Sequence, residues 1–348
     1  MATSDVYTEL ITRLKYPQSE RFRRLLQKLV TPEEGKMLLL LPAQPVELAQ
    51  KAGLSEEEAQ RKLQEFMERG LVIHTSKGLF CLPRDMTQLH DSNLSSAGKW
   101  VDTELLDLWR DFRDAEWAQT MAGGLGDSYV QVLKVIPAWK AIDQSPDRDE
   151  LLPEEDIKEL IRGADPISVV PCPCRRSIRR CALPLNVCLH FNRGAQYAIN
   201  RGAGRRISAE EAISIAGEAE EAGLVHTWAS STPEKLTAIC SCCRECCDIF
   251  AIGMEVGNIE QVLQKSRFRA EIDQELCTGC QECVERCFFK AIEMEKTPQS
   301  KKLKATIDEG KCYGCGLCAV VCEPEAITVK LVQPLPRLAD SAPLVPKS

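Results

Sequence analysis

Cysteine carries most of the recognisable chemistry of this chain, which has 18 cysteines among its 348 residues. All of them except Cys81 fall into three groups, which span residues 172–188, 240–247 and 277–322. In a reducing cytoplasm such groups favour metal ligands or redox thiols over structural disulfides, because thiols stay reduced there. We therefore expect dedicated metal or redox sites.

The C-terminal group contains two copies of one motif, C-x2-C-x2-C-x3-C, in the segments CTGCQECVERC and CYGCGLCAVVC. The repeat extends beyond the cysteines, because Ile272 recurs as Ile307 and Ala291 recurs as Ala326, each 35 residues later. The flanking apolar segments predict a duplicated strand–loop–helix–strand unit. Three thiolates spaced two residues apart on one loop can bind three irons of a cubane, and the loop glycines permit the tight turn.

With these motifs, residues 268–332 resemble the bacterial-type ferredoxin domain that carries two 4Fe–4S clusters. In that family the fourth cysteine of each motif binds the cluster of the other motif. By this resemblance the first cluster takes Cys277, Cys280, Cys283 and Cys322. The second cluster takes Cys312, Cys315, Cys318 and Cys287.

The chain departs from the family pattern after each fourth cysteine, where a proline usually follows. Phe288 follows Cys287, and Pro324 stands one residue late after Cys322. We expect ligation to survive and the local solvation and reduction potential to differ. A pair of zinc knuckles is the alternative, but zinc sites use two cysteine pairs and not two interlocked quartets.

The middle group supplies nine more cysteines from two segments, PCPCRRSIRRCALPLNVC and CSCCRECC. We predict all nine as metal ligands: Cys172, Cys174, Cys181, Cys188, Cys240, Cys242, Cys243, Cys246 and Cys247. A predicted helix between the segments, with Ser208 as N-cap, Glu211 completing a capping box and Gly223 at its end, can bring them together. Adjacent thiols need a metal centre to hold them apart, so we expect one or two further iron–sulfur clusters. Zinc and redox dithiols are the alternatives.

These two segments in front of a ferredoxin domain resemble a group of anaerobic iron–sulfur proteins known generically as 4Fe–4S ferredoxins. Four arginines lie beside the first segment: Arg175, Arg176, Arg179 and Arg180. We interpret them as counter-charge for thiolates, with the docking of an anionic substrate, a cofactor phosphate or an acidic partner as the alternative. His190 and His226 are possible ligands, although a lone histidine beside apolar residues is more often structural.

The sequence pattern of the N-terminal region predicts three helices and a hairpin. Thr31 with Glu34, and Ser55 with Glu58, form capping boxes at the starts of two of the helices. The hairpin predicted around HTSKG completes a pattern that resembles a winged-helix domain. The first turn of the expected recognition helix is acidic, at residues 56–58, which disfavours contact with phosphates. We therefore favour a protein-contact role over DNA binding.

Composition excludes several function classes. The net charge is −7 and the pI is about 5.4, which argues against a chain that mainly coats nucleic acid. Aromatic residues make up 5% of the chain, too few for extended base-stacking surfaces. The first twenty residues lack the apolar run of a secretion signal, so we expect a cytoplasmic protein without a membrane span.

These observations predict an α+β chain with a winged-helix-like domain, a Cys-rich middle domain, a ferredoxin-like dicluster domain and a disordered tail. The expected boundaries are 1–84, 85–265, 266–332 and 333–348. The function that fits best is an electron carrier or oxidoreductase subunit. It passes single electrons between the two ferredoxin-type clusters and a middle cluster, and on to a partner oxidoreductase. The alternatives are a reductase with its own substrate site at the middle cluster and a redox-sensing DNA-binding regulator.

Overall fold

The computed structural model describes most of the chain and divides it into two compact units. The described residues are 5–75, 77–96, 98, 100–120, 133–228, 235–255, 257, 259–296 and 302–332. The first unit comprises Met1–Met121, Val170–Arg179 and Gln196–Arg205. The second comprises Ala122–Val169, Arg180–Ala195 and Arg206–Ser348. The glycine-rich stretch 123–128 and the C-terminal tail lie outside the described residues.

The first unit begins with five helices and a short hairpin. They are α1 (Val6–Arg13), α2 (Glu20–Leu29), α3 (Pro32–Leu39), α4 (Pro45–Ala52), α5 (Glu56–Glu68), β1 (Ile73–His74) and β2 (Phe80–Cys81). The two predicted capping boxes, Thr31 with Glu34 and Ser55 with Glu58, are confirmed. The order α3–α4–α5–hairpin is the expected one, and the winged-helix assignment itself stays a prediction.

Three more helices belong to the first unit. They are α6 (Met86–Leu94), α7 (Thr103–Phe112), which continues as a π-helical turn over Arg113–Trp117, and α10 (Pro173–Ile178). The apolar face of α7 contributes to the core, because Trp109 and Phe112 are fully buried. Phe112 stacks on Phe22 of α2 with ring centroids 5.0 Å apart. None of the described helices of either unit combines the length and the apolarity needed to cross a bilayer.

The second unit contains a seven-stranded sheet. Its strands are β3 (Leu133–Ile136), β4 (Ile167–Val170), β5 (Cys188–Phe191), β6 (Arg205–Ile207), β7 (Val225–Trp228), β8 (Ala238–Cys242) and β9 (Leu263–Gln264). The strand order is β6-β4-β5-β8-β7-β3-β9. Strand β8 pairs antiparallel with both β5 and β7, which places the cysteines of β8 near the centre of the sheet.

The second unit also contains the helices α8 (Trp139–Asp143), α9 (Ile157–Arg162), α12 (Ala209–Glu221), α13 (Asp248–Glu255) and α14 (Ile259–Val262). Helix α11 (Asn192–Asn200) begins in the second unit and ends in the first. Helix α12 confirms the helix predicted between the two cysteine segments, and the Ser208 side chain accepts a hydrogen bond from the Glu211 amide. Mixed helices and sheets of this kind agree with the predicted α+β class.

The duplicated C-terminal segment forms two small antiparallel sheets in the second unit. Its elements are β10 (Phe268–Ile272), α15 (Glu282–Arg286), β11 (Ile292–Lys296), β12 (Leu303–Ile307), α16 (Leu317–Val320) and β13 (Ile327–Leu331). The predicted strand–loop–helix–strand unit is therefore confirmed in both copies. Strand β10 pairs with β13, and β11 pairs with β12, so each sheet contains one strand from each copy.

A buried ion-pair triad joins the C-terminal segment to the large sheet. Glu155 accepts hydrogen bonds from Arg267, with Nε 2.9 Å from Oε2, and from Lys134 of β3, with Nζ 3.3 Å from Oε1. All three side chains are at most a tenth exposed. A buried charge without its partner is strongly destabilising. The triad therefore makes the packing of β10 against the sheet depend on one carboxylate.

We expect Glu155→Gln to lower the free energy of unfolding by about 3–5 kcal/mol, because it leaves Lys134 and Arg267 buried without a counter-charge. The change is measured by chemical denaturation of the full chain. Glu309→Gln removes the exposed partner of Arg269 and is the control, with little measurable effect expected. Equal effects of the two variants would contradict a special role for the buried triad.

Candidate metal-binding sites

The two ferredoxin-type loops have the same backbone conformation. The amide of Cys277 donates to the carbonyl of Asp273, and 35 residues later the amide of Cys312 donates to Asp308. Gly279 and Gly314 occupy equivalent positions, with φ of 75° and 68°. A Cβ atom on Gly314 would overlap the carbonyl oxygen of Phe268, so this turn requires glycine both for its left-handed backbone and for its close contact.

The first predicted ligand set converges on one pocket. This pocket is lined by the thiols of Cys277, Cys280, Cys283 and Cys322, three from the first motif and one from the second. Apolar side chains such as Ile272 and Ala305 close the rest of its wall. Burial, followed by the nearby Cys280 and Cys322, raises the pKa of the Cys283 thiol to about 11. An iron–sulfur cluster suits this donor set, because positive iron stabilises thiolates that burial alone disfavours.

The cysteines of the second predicted ligand set also lie near one another, and here the first motif supplies the fourth cysteine. Burial raises the pKa of Cys315 to about 12, and the neighbouring Cys287 and Cys312 contribute to the shift. The pKa of Cys318 also lies well above its ordinary value, because of burial and then of Cys315 and Cys312. Cys287, from the first motif, therefore lies among the thiols of the second.

Backbone amides support the fourth cysteine of each motif. The Ala291 amide donates to the Cys287 sulfur across 3.2 Å. The amide of Ala326, which is the repeat equivalent of Ala291, lowers the pKa of Cys322 by hydrogen bonding, although burial raises that pKa overall. Hydrogen bonds of this kind to ligand sulfurs are one means by which proteins tune cluster potentials. The residues present thus fit two 4Fe–4S clusters.

The two loops differ in their surroundings. In the first loop Cys280 is exposed, and the neighbouring Leu276 is 51% exposed although it is apolar. In the second loop Tyr313 and Leu317 are buried. The carbonyl of Cys315 accepts a hydrogen bond from the Ala138 amide, which precedes α8. One loop therefore faces solvent, whereas the other packs against the rest of the second unit.

Phe288, which stands where the family usually has proline, lies at the contact between the dicluster segment and the helix that follows the middle cysteines. Its ring is 5% exposed and meets the ring of Phe250 edge-on, with centroids 5.1 Å apart. Phe250 belongs to α13, which starts directly after Cys247. On the other side, Phe289 stacks on Tyr313 with centroids 4.2 Å apart. Phe288, which replaces the usual proline, thus supplies an apolar contact. Its partner Phe250 belongs to no recognisable motif, so the sequence carried no signal for it.

Seven of the nine predicted middle ligands lie in the second unit, and they form two groups. The three-thiol group consists of Cys181, Cys243 and Cys246. The Cys181 sulfur is 3.7 Å from that of Cys243 and 3.6 Å from that of Cys246, and all three lie within 4.8 Å of one another. The nearby Cys243 thiol, and then burial, place the pKa of Cys246 well above its ordinary value.

The four-thiol group consists of Cys188, Cys240, Cys242 and Cys247. The register of β5 and β8 pairs Leu189 with Ile239, so the next position brings Cys188 opposite Cys240. Hydrogen bonds from Cys188 and Cys242 hold the pKa of Cys240 well below its ordinary value. The pKa of Cys242 is raised, because its thiol is the donor to Cys240 and Cys247.

The other two predicted ligands, Cys172 and Cys174, belong to the first unit, at the start of α10. In the same unit Arg176 donates to the carbonyls of Leu94 and Ser96, and Arg179 pairs with Asp107. These two guanidinium groups therefore connect α10 to neighbouring segments of the first unit. Their contacts are with carbonyl and carboxylate oxygens, and the expected role as counter-charge for thiolates does not account for them.

The two histidines named as possible ligands, His190 and His226, lie on two strands of the large sheet. His226 is buried, and its Nδ1 lies 3.2 Å from the hydroxyl oxygen of Ser241. Its Nε2 lies 3.5 Å from the carboxylate of Glu220. These contacts agree with the structural role expected of His226. His190 lies on β5, in register with Ala238.

Comparison with known proteins identifies one part of the chain. Residues 276–326 match the family model of a 4Fe-4S dicluster domain. No curated protein and no solved structure matches the chain. The chain therefore contains a ferredoxin-type iron–sulfur domain for 4Fe–4S clusters, which confirms that part of the sequence-based expectation. The assignment of individual cysteines to clusters stays a prediction.

We expect Gly314→Ala to destabilise the second loop by more than the roughly 1–2 kcal/mol of a left-handed alanine, because its Cβ also meets Phe268. Gly53→Ala is the matched control, since Gly53 has φ of 68° with no atom within 4 Å of an added Cβ. Unfolding free energy and iron content are measured for both. A loss of iron in Gly53→Ala, or equal stability losses, would count against the steric argument.

The interlocked ligand sets predict which substitutions behave alike. We expect Cys322→Ser to change the same electron paramagnetic resonance signal as Cys277→Ser, because both thiols line one pocket. Cys287→Ser should instead change the signal affected by Cys312→Ser. The spectra are recorded on reduced protein purified without oxygen. Grouping of Cys322→Ser with Cys312→Ser would show that each motif binds its own cluster.

Proposed function

We propose that this chain is a cytoplasmic iron–sulfur electron-transfer protein that passes single electrons between a partner oxidoreductase and an additional iron centre in its middle region. In this route the dicluster domain carries the electrons between the partner oxidoreductase and the additional centre. The additional centre is assigned to the four-thiol group: Cys188, Cys240, Cys242 and Cys247. The observation that carries the proposal is the contact between Phe250 and Phe288, which joins the chain next to the four-thiol group to the chain next to Cys287.

Single-electron chemistry comes from the iron–sulfur clusters when they are bound. The chain holds their ligands in apolar surroundings, and amides such as that of Ala291 stabilise the sulfurs. A continuous hydrophobic core contains Cys247, Phe250, Phe288 and Cys318 together. Such a core excludes water along the route, which limits the solvent rearrangement that accompanies each electron transfer.

The different surroundings of the two loops favour a direction for the route. The exposed Cys280 and Leu276 place the first loop where a partner protein can approach it. The second loop is packed inside, beside Ala138 and Phe289. The favoured route therefore enters near Cys280, crosses to the second ligand set, and continues through Phe288 and Phe250 to the four-thiol group.

Iron and acid-labile sulfide per chain test the number of centres. Two cubanes account for about eight irons, so we expect more than about eight in protein purified without oxygen. We also expect Cys240→Ser to reduce iron toward about eight without loss of the dicluster signals. A wild-type value of eight would make the middle region structural and overturn the proposed middle centre.

Phe288→Leu tests the route. We expect this variant to keep its iron and to slow the reduction of the middle centre several-fold, because a smaller side chain loosens the contact with Phe250. The time course is followed by rapid-freeze spectroscopy after addition of a reductant. Phe191→Leu removes a fully buried ring from the separate core beside the large sheet and is the control. Equal rates in the two variants would argue against a route through Phe288.

A further inference from the structure

The proposed electron route leaves the three-thiol group without a role. Cys243 and Cys246 form a C-x2-C pair on the turn that follows β8, and the amide of Cys247 closes this turn by donating to the carbonyl of Cys243. Both thiols are buried, with at most 2% of the residue exposed. Cys181 approaches from the segment after α10 and is half-buried. Two of the thiols therefore lie buried on one hydrogen-bonded turn, and the third borders solvent.

Two of the three sulfur separations match those of ligands on a single ion. A zinc–sulfur bond of about 2.3 Å in a tetrahedron places its sulfurs about 3.8 Å apart. The observed separations are 3.7 Å for Cys181 to Cys243 and 3.6 Å for Cys181 to Cys246. A disulfide would need about 2.05 Å. In a cubane each cysteine binds a different iron, so the ligand sulfurs lie farther apart than those around one ion.

We propose that Cys181, Cys243 and Cys246 bind one zinc ion of their own, apart from the iron centres of the chain. The C-x2-C spacing, the thiolate donors and the sulfur separations suit three of the four positions around this borderline-soft, redox-inactive ion. The ion would connect the turn after β8 to the segment before β5. Because that turn lies between Cys242 and Cys247, the zinc ion would also hold two thiols of the four-thiol group in position.

Zinc, iron and acid-labile sulfide are measured on the full chain purified without oxygen and on single variants. We expect about one zinc per wild-type chain. Cys243→Ser and Cys246→Ser should lose the zinc and keep most of the iron. Cys240→Ser should lose iron and keep zinc. Cys81→Ser should keep both metals, because Cys81 belongs to none of the predicted ligand sets. Wild-type protein without zinc, or loss of sulfide in Cys243→Ser, would overturn the zinc site.

A second measurement avoids variants that fail to fold. Half-buried Cys181 in the native wild-type chain is treated with iodoacetamide, and its alkylation is quantified by mass spectrometry. We expect protection that is lost when a zinc chelator removes one equivalent of zinc, while the iron content stays constant. Alkylation at the same rate before and after chelation would contradict ligation by Cys181. The proposed electron route has a separate test, because it depends on iron content and on Phe288→Leu.

Discussion

The dicluster segment of the second unit depends on thiols that are buried where they resist ionisation. Burial and neighbouring cysteines raise the pKa of Cys283 and Cys315 to about 11 and about 12, so neither thiol loses its proton readily at neutral pH. A bound metal centre stabilises the thiolates and displaces these protons. The same cysteines contribute to the hydrophobic core of the unit. Metal binding and the packing of this core are therefore coupled, because the ligands are also core side chains.

The two copies of the duplicated segment differ in exposure because they have different neighbours. Gly279 and Gly314 give both loops the same left-handed turn. The first loop leaves Cys280 exposed, whereas the second hydrogen-bonds to Ala138 through the carbonyl of Cys315. Backbone conformation is thus set within each copy, and access to solvent is set by what packs on it. This difference gives the duplicated motif a solvent-facing side at Cys280 and a packed side beside Ala138.

Local signals in the sequence predicted local structure well. The capping boxes at Thr31 and Ser55, the helix after Ser208 and the strands of the duplicated segment depend on residues only a few positions apart. The middle cysteines could not be divided in the same way. The four-thiol group depends on the pairing of Cys188 with Cys240, which are about fifty positions apart in the chain and meet only through the register of β5 and β8. No spacing rule encodes that register.

By itself, the sequence determined the type of ligand and the repeat that identifies the dicluster domain, because motif spacing along one loop limits which sulfurs can bind one centre. Tertiary structure alone decided four other features. It brought Cys181, Cys243 and Cys246 together, linked Cys240 to other thiols by hydrogen bonds, buried most of the second loop, and placed Phe288 against Phe250. Each of these depends on contacts between segments far apart in the chain. Such contacts form only when the segments pack into one core. The sequence does not specify which distant segment a residue will contact, or how close the two will lie.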